Sequence, residues 1–248
     1  MKTALITGGS SGIGFELAKL FIKDSYSVIL IANDEQKLAK AAEKLKGDVQ
    51  VFAVDLSWPQ AAKEVHERYK GKIDVLVNNA GFGTCGAFEK TSLAQEEDMI
   101  TVNITAVVQL TKYFLPTLHK RKGRILNVSS TAAYQPGPYM TVYYATKAFV
   151  SSFSEALRYE LRESGVSVTT LSPGATKTGF AKRAKVNKSR LFAQTRSAAE
   201  VATAGYKGLM RGKRVVIPGS KNKLLSIVAG LVPRTLATTV AARLNRKK

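Results

Sequence analysis

The chain has 248 residues, 45% hydrophobic and 23% charged, with 38 Lys and Arg against 18 Asp and Glu. That balance excludes a disordered or fibrous chain, and with no Pro-, Gly- or Ser-rich linker to divide it, residues 1–248 are expected to form one domain. The single cysteine, Cys85, excludes an intramolecular disulfide, and the strand-like opening MKTALIT carries no signal-peptide pattern, so a reducing, cytoplasmic setting is expected.

In chain order, short β-branched and aliphatic runs at 3–7, 27–31, 49–54, 73–77, 124–129, 166–171 and 214–217 predict seven strands. Apolar residues recurring at three and four positions predict helices at 13–24, 34–46, 94–121 and 146–164. The alternation implies parallel strands joined by right-handed crossovers, and strands such as VILI are apolar at consecutive positions, as a sheet covered on both faces requires. The expected fold is therefore α/β: a doubly wound, Rossmann-like parallel sheet of about seven strands with helices on both faces. In such sheets ligands sit beyond the carboxyl ends of the strands.

The segment Thr7-Gly8-Gly9-Ser10-Ser11-Gly12-Ile13-Gly14 follows the first strand and opens the first helix. Gly8, Gly12 and Gly14 remove Cβ atoms where a turn is tight, where a pyrophosphate approaches backbone amides and where helix packs on strand. After the second strand comes Ile31-Ala32-Asn33-Asp34. With Ala32 at the selecting position no carboxylate repels a 2′-phosphate and Asn33 can bond ribose or phosphate; with Asp34 turned inward, NAD is favoured. A third reading makes Asn33 and Asp34 the cap of the next helix. The balance favours NADP(H) over NAD(H).

Tyr143 and Lys147 are one helical turn apart on one face. A free phenol titrates near ~10, and a neighbouring ammonium and a cationic nicotinamide are both expected to lower it, making Tyr143 an acid and base. Ser130, thirteen positions upstream, offers a neutral hydroxyl to hold a substrate oxygen.

With these residues in place the chain resembles the short-chain dehydrogenase/reductase superfamily, from Thr3 to about Ile217. Thr7 to Gly14 is similar to its T-G-x-x-x-G-x-G turn, Asn78-Asn79-Ala80-Gly81 to its N-N-A-G segment, and Pro173-Gly174 with Thr178 to its P-G-x-x-x-T segment. The resemblance implies Asn103, Ser130, Tyr143 and Lys147 as the catalytic set. It further implies Gly8, Ser10, Ser11, Gly12, Ile13, Gly14, Asn33, Asp55, Leu56, Asn79, Ala80, Gly81, Pro173, Gly174 and Thr178, with Tyr143 and Lys147, as cofactor contacts. The implied activity is hydride transfer between a nicotinamide dinucleotide and a carbonyl or alcohol; a 3-oxoacyl or lipid-like ketone as substrate is suggested instead by the basic charge of residues 176–197. A homodimer or homotetramer through the long helices 94–121 and 146–164 is implied as well. One departure is Asn33, where many NADP-preferring members carry arginine.

Tyr144, three residues from Lys147, reads as wall or packing, and Ser129 points away from Ser130. His66 and His119 lie in polar helical stretches and read as solvated, and no metal-ligand spacing occurs. Charge is uneven: from residue 164 onward 18 Lys and Arg face one acid, Glu200. Seven of them, Lys177, Lys182, Arg183, Lys185, Lys188, Arg190 and Arg196, fall in 176–197, which the resemblance makes a lid over the substrate and whose charge suggests an anionic substrate. The basic, apolar extension 221–248 has three readings: a face on an anionic membrane surface, at the inner face of the membrane; a cover for the substrate pocket; or a contact between subunits. Two non-enzymatic readings stand beside the enzyme. A basic third of a chain is a nucleic-acid footprint, though stacking aromatics are missing; a membrane- or anionic-partner-binding redox sensor has no use for an intact Ser130, Tyr143 and Lys147.

Overall fold

The computed structural model describes residues 1–186, 192 and 194–246. The first half alternates β1 (Thr3–Thr7), α1 (Gly12–Lys23), β2 (Ser27–Ala32), α2 (Glu35–Leu45), β3 (Val49–Ala53), α3 (Ala61–Tyr69) and β4 (Val75–Asn78). Next come α4 (Leu93–Ile100), a π-helical turn (Thr101–Thr105), α5 (Ala106–Arg121), β5 (Arg124–Val128), α6 (Thr141–Glu160) and β6 (Ser167–Leu171). A small parallel pair, β7 (Thr176–Lys177) and β8 (Arg196–Ser197), brackets the short α7 (Phe180–Arg183). The chain closes with α8 (Ala198–Met210), β9 (Val215–Val216), α9 (Ser220–Leu231) and α10 (Arg234–Asn245).

The seven-stranded sheet has the order β3-β2-β1-β4-β5-β6-β9, all parallel. The order reverses direction between β1 and β4, so a crevice opens beyond their carboxyl ends. Alternation along each central strand feeds two cores. Leu5, Ile29, Ile31, Leu76 and Ile125 face α3, α5 and α6, while Ala4, Ile6, Val28, Leu30 and Val77 face α1, α2 and α8. Each fully buried Leu or Ile contributes roughly 1.5–3 kcal/mol by leaving water.

Several expected boundaries move. The run at 73–77 loses its first two residues: Ile73 is buried in the core, but pairing begins at Val75. The helix expected from 146 begins at Thr141, in a stretch whose β-branched and aromatic residues have weak helix propensity. The helix expected at 94–121 is interrupted by the π-helical turn, which carries Asn103. Five helices fall outside the expected set: α3, α7 and α8, and the α9 and α10 that form the basic extension. Helix α8 begins with a reciprocal capping box in which Glu200 N–H donates to Ser197 Oγ (3.2 Å) and Ser197 N–H to Glu200 Oε2 (3.1 Å). Lys188 and Arg190 lie outside the described residues.

Candidate active site

The crevice is a cleft of about 890 Å³. Thr7, closing β1, accepts at Oγ1 from the N–H groups of Asn79 (3.0 Å) and Ala80 (2.9 Å), tying the glycine turn to the segment after β4. Asn79 Nδ2 donates back to Thr7 O (2.9 Å) and Gly8 O (3.2 Å). Gly8 (φ 64°) and Gly12 (φ 57°) are left-handed, and a Cβ on Gly8 would lie 2.9 Å from Asn79 Nδ2 and 3.0 Å from Ala80 Cα. The N-terminus of α1 therefore meets the cleft as backbone, and its N-cap, Ser11, makes no side-chain cap bond and leaves the first-turn N–H groups to a ligand. A cradle of this shape with donors at a helix start fits a dinucleotide pyrophosphate.

Gly8, Ser10, Ser11, Gly12, Ile13, Asn33, Asp55, Leu56, Asn79, Ala80, Gly81, Pro173, Gly174 and Thr178 all line this cleft. Gly14 does not. It is buried behind the turn, where a Cβ would lie 2.5 Å from Gly8 O, so its part is packing helix against turn. Asn78 bonds within the fold instead, donating to Asn127 Oδ1 (2.9 Å) and Thr111 Oγ1 (3.2 Å).

At the far end of the cleft Asp34 caps α2, accepting from Lys37 N–H (2.9 Å) and pairing with Lys37 Nζ (2.7 Å). Of the three readings of this corner, Asp34 as cap is the one found. Asn33 donates to Asp55 Oδ2 (3.1 Å), and Ser57 donates to Asp55 Oδ1 through N–H and Oγ, both at 2.9 Å. Burial opposes charge on Asp55, but these hydrogen bonds and the Arg183 guanidinium together hold the carboxyl below its ordinary value.

At the other end stand Ser130, Tyr143 and Lys147. Ser130 follows β5 with its Oγ accepting from Ala132 N–H (3.1 Å), while Ser129 turns to α6 and donates to Lys147 O (2.8 Å). One turn apart on α6, Tyr143 and Lys147 face the same cleft. Lys147 Nζ donates to Val128 O (2.9 Å) and lies 5.8 Å from the centroid of the Tyr143 ring. Tyr143 as a whole is only partly buried, but its hydroxyl is enclosed.

Burial pushes the phenol above the ordinary tyrosine value, offset in part by a hydrogen bond with Ser130. The expected lowering by Lys147 does not govern this geometry, because the ammonium is turned to a carbonyl and desolvation dominates. Burial also lowers Lys147, to about 8. Asn103 lies outside the cleft wall: its Oδ1 accepts from Phe82 N–H (3.1 Å), and its Nδ2 donates to Phe82 O and Thr146 Oγ1, both at 3.0 Å. A Cβ on Gly81 would come within 2.9 Å of Asn103 Oδ1 and 3.3 Å of Lys147 Nζ, so these groups share one corner.

Beside Tyr143 the cleft is walled by Ala132, Met140, Tyr144 and Phe180 together with Thr131 and Gln135. Ala132, Met140, Tyr144, Ala184 and Val186 are buried together, and Phe180 of α7 sets its ring 5.1 Å from that of Tyr143. Tyr144 is wall, as expected, with its hydroxyl donating to Asn245 Oδ1 of α10 (3.1 Å). Of the lid's described cations, Arg183 sets its guanidinium 4.1 Å from the Phe82 ring and acts on Asp55, and Lys182 and Arg183 line the cleft. His66 is not solvated; it stacks on Tyr113 and meets the edge of Phe114, and desolvation lowers its pKa. His119 is exposed. Phe180, Met140, Lys37 and Asn245 escaped the sequence reading. Lys37 alone carried a signal, a cation three residues after a capping acid.

A switch-point crevice with a glycine cradle at one end and an enclosed Ser, Tyr and Lys at the other defines a dinucleotide-dependent oxidoreductase fold. The sequence profile described as short chain dehydrogenase matches residues 2–189, and the chain belongs to that family. Serine 3-dehydrogenase of Agrobacterium fabrum is 37% identical over 183 residues, 72% of this chain and 73% of that one. Ketoacyl reductase HetN of Nostoc sp. is 30% identical over 246 residues, 96% of this chain and 82% of that one. Among solved structures, a short-chain dehydrogenase from Sphingobium yanoikuyae in complex with NADPH superposes with a TM-score of 0.84 at 31% identity, covering 93% of this chain and 95% of that one. The chain is thus an oxidoreductase acting between CH–OH and C=O.

Proposed function

We propose that the chain is an NADP(H)-dependent reductase of apolar ketones, of the 3-oxoacyl or lipid-like class. The observation carrying this reading is the enclosed phenol of Tyr143, beside Ser130, opening on a chamber walled by Met140, Tyr144 and Phe180. When bound, the dinucleotide supplies a hydride to the carbonyl carbon. Ser130 donates a hydrogen bond to the carbonyl oxygen, and Tyr143 passes its hydroxyl proton to that oxygen as the new C–H bond forms. Lys147 returns a proton toward Tyr143, and Asn103 holds the π-helical turn and Phe82 so that Gly81 and Lys147 keep their corner.

The corner around α2 supports the reading of NADP(H). Ala32 brings no carboxylate, and the Asp34 carboxylate that lines the cleft is engaged by the N–H and Nζ of Lys37, whose ammonium would turn from Asp34 to a 2′-phosphate. The similar Sphingobium yanoikuyae protein holds NADPH. The basic residues of the lid serve the dinucleotide: Arg183 and Lys182 line the cleft and Arg183 acts on Asp55, while Met140, Tyr144 and Phe180 give the wall at Tyr143 its apolar surface. A homodimer or homotetramer forms through the outer faces of α4 and α6, where Ile100, Phe149 and Tyr159 are exposed. A single cysteine suits a reducing, cytoplasmic setting. Steady-state reduction of a 3-oxoacyl thioester, a long-chain ketone and a small hydrophilic ketone with NADPH and NADH tests the assignment. Preference for NADPH and for the two apolar carbonyls is expected; equal rates on all three carbonyls, or preference for NADH, would remove it.

A further inference from the structure

The last two helices are built inside out. On α9 the buried residue is Ser226, 6% exposed, whereas Leu224, Leu225, Ile227, Val228 and Leu231 face solvent, Leu224 at 62% and Leu231 at 80%. On α10 the small or polar Ala237, Ala241 and Asn245 are buried, and Leu236, Val240 and Leu244 recur four apart on the outside. Helices of a soluble domain turn their apolar stripe to the core. A contiguous aliphatic surface of this kind marks an interaction site.

Its surroundings identify the partner. Lys221, Lys223, Arg234 and Arg243 are all exposed on the same two helices, Arg246 is exposed directly after them, and no acid occurs beyond Glu200. The carboxylate of Glu200 is itself engaged at the start of α8. Pairing with a second copy would bring these cations against one another in a chain of net charge +20. The outer face carries no aromatic residue, the type that anchors protein interfaces. Each helix has 12 residues, about 18 Å, and no described helix is long and apolar enough to cross a membrane, so the pair lies in a surface instead of spanning it.

We infer that α9 and α10 dock this protein on an anionic lipid surface, the aliphatic side chains entering the acyl boundary and the Lys and Arg side chains meeting lipid phosphates. The inner side of the pair reaches the cleft at both ends. Asn245 accepts from Tyr144 Oη (3.1 Å) and donates to Pro138 O (3.0 Å), and Asn222 packs against Gly174. Docking therefore sets the chamber beside the bilayer. This last step rests on the reading proposed above, and the substrate it selects is a carbonyl compound dissolved in lipid.

The test is flotation of the full chain with vesicles of phosphatidylcholine alone or mixed with phosphatidylglycerol, without substrate. Binding to the mixed vesicles at least about tenfold tighter than to the neutral ones is expected, weakening as salt rises. A variant carrying Leu231→Gln, Leu236→Gln and Val240→Gln keeps the charge and should bind at least about tenfold more weakly, while reduction of a water-soluble ketone and the melting temperature stay unchanged. Should the triple variant lose its fold, Leu231→Gln alone carries the same comparison. Absence of binding by the intact chain overturns the inference, as does equal binding by the variant, or a concentration-dependent dimer that the same substitutions disperse. Flotation needs no turnover, so lipid binding without ketone reduction supports docking and removes only the reductase reading.

Discussion

Replacing Gly14 by alanine sets two effects against each other. Helix propensity alone makes alanine better by about 1 kcal/mol inside α1. The added Cβ, however, would lie 2.5 Å from Gly8 O and 2.6 Å from Asn79 Nδ2, and the first of these is backbone held by the Gly8 N–H to Ile31 O hydrogen bond at 2.7 Å. Relief requires moving the turn or giving up the Asn79 bonds to Thr7 O and Gly8 O. Overpacking costs about 1–3 kcal/mol and each lost bond about 1, so the net is a loss of about 2 kcal/mol, or about 4–8 °C in melting temperature for a chain of this size. Because the same turn carries the cradle, NADPH affinity should fall by about tenfold for each 1.4 kcal/mol of displacement. Thermal melting and calorimetric titration of Gly14→Ala measure both. Gly230, in α9 with nothing within 4 Å of a built Cβ, is the control, and its alanine variant should be stabilised by up to about 1 kcal/mol. Equal or raised stability of Gly14→Ala with unchanged NADPH affinity would refute the packing argument.

Asn103→Ala strips partners from Phe82 N–H, Phe82 O and Thr146 Oγ1 in a buried corner, so a loss of about 2–4 kcal/mol and a kcat at least about tenfold lower are expected from denaturation and steady-state assays. Tyr206→Phe removes the 2.6 Å hydrogen bond to Asp24 that joins α8 to the end of α1; it should cost about 1.5–3 kcal/mol while leaving kcat unchanged. Lys147 is lowered by burial to about 8, against about 10.4 in an unfolded chain. Stability from this depressed group is present above the unfolded value and is lost as pH falls through about 8, so the stability of wild type relative to Lys147→Met should rise between pH 8 and 10.4. Parallel denaturation curves across that range would deny the burial of a titrating amine.

The residues around the cleft were legible where chemistry is local in sequence. A glycine turn after a strand, a Tyr and Lys one turn apart and a Ser closing the next strand each need only a few neighbouring positions. The start of α6 was not legible, because Thr141, Val142, Tyr143 and Tyr144 disfavour helix and are held in it by packing against the cleft and cores. Nor was the π-helical turn at Asn103, which depends on hydrogen bonds from a loop twenty-one positions away. The tail gave a period but no side: nothing in Leu236, Val240 and Leu244 says that Ala237 and Ala241 face inward. Nothing around Asn245 says that it reaches Tyr144 across 101 positions. The charge of the lid pointed to an anionic substrate, and nothing local in sequence says that Arg183 packs on the ring of Phe82, about a hundred positions away.

The most direct test of the account is a single-turnover measurement of ketone reduction by NADPH in Tyr143→Phe, paired with the NADPH dissociation constant. Removing one enclosed hydroxyl should lower the chemical step by about 10²–10⁴-fold while NADPH binding changes by less than about threefold. Reduction at near wild-type rate would contradict the assignment of Tyr143 as the proton donor and with it the mechanism proposed for this cleft.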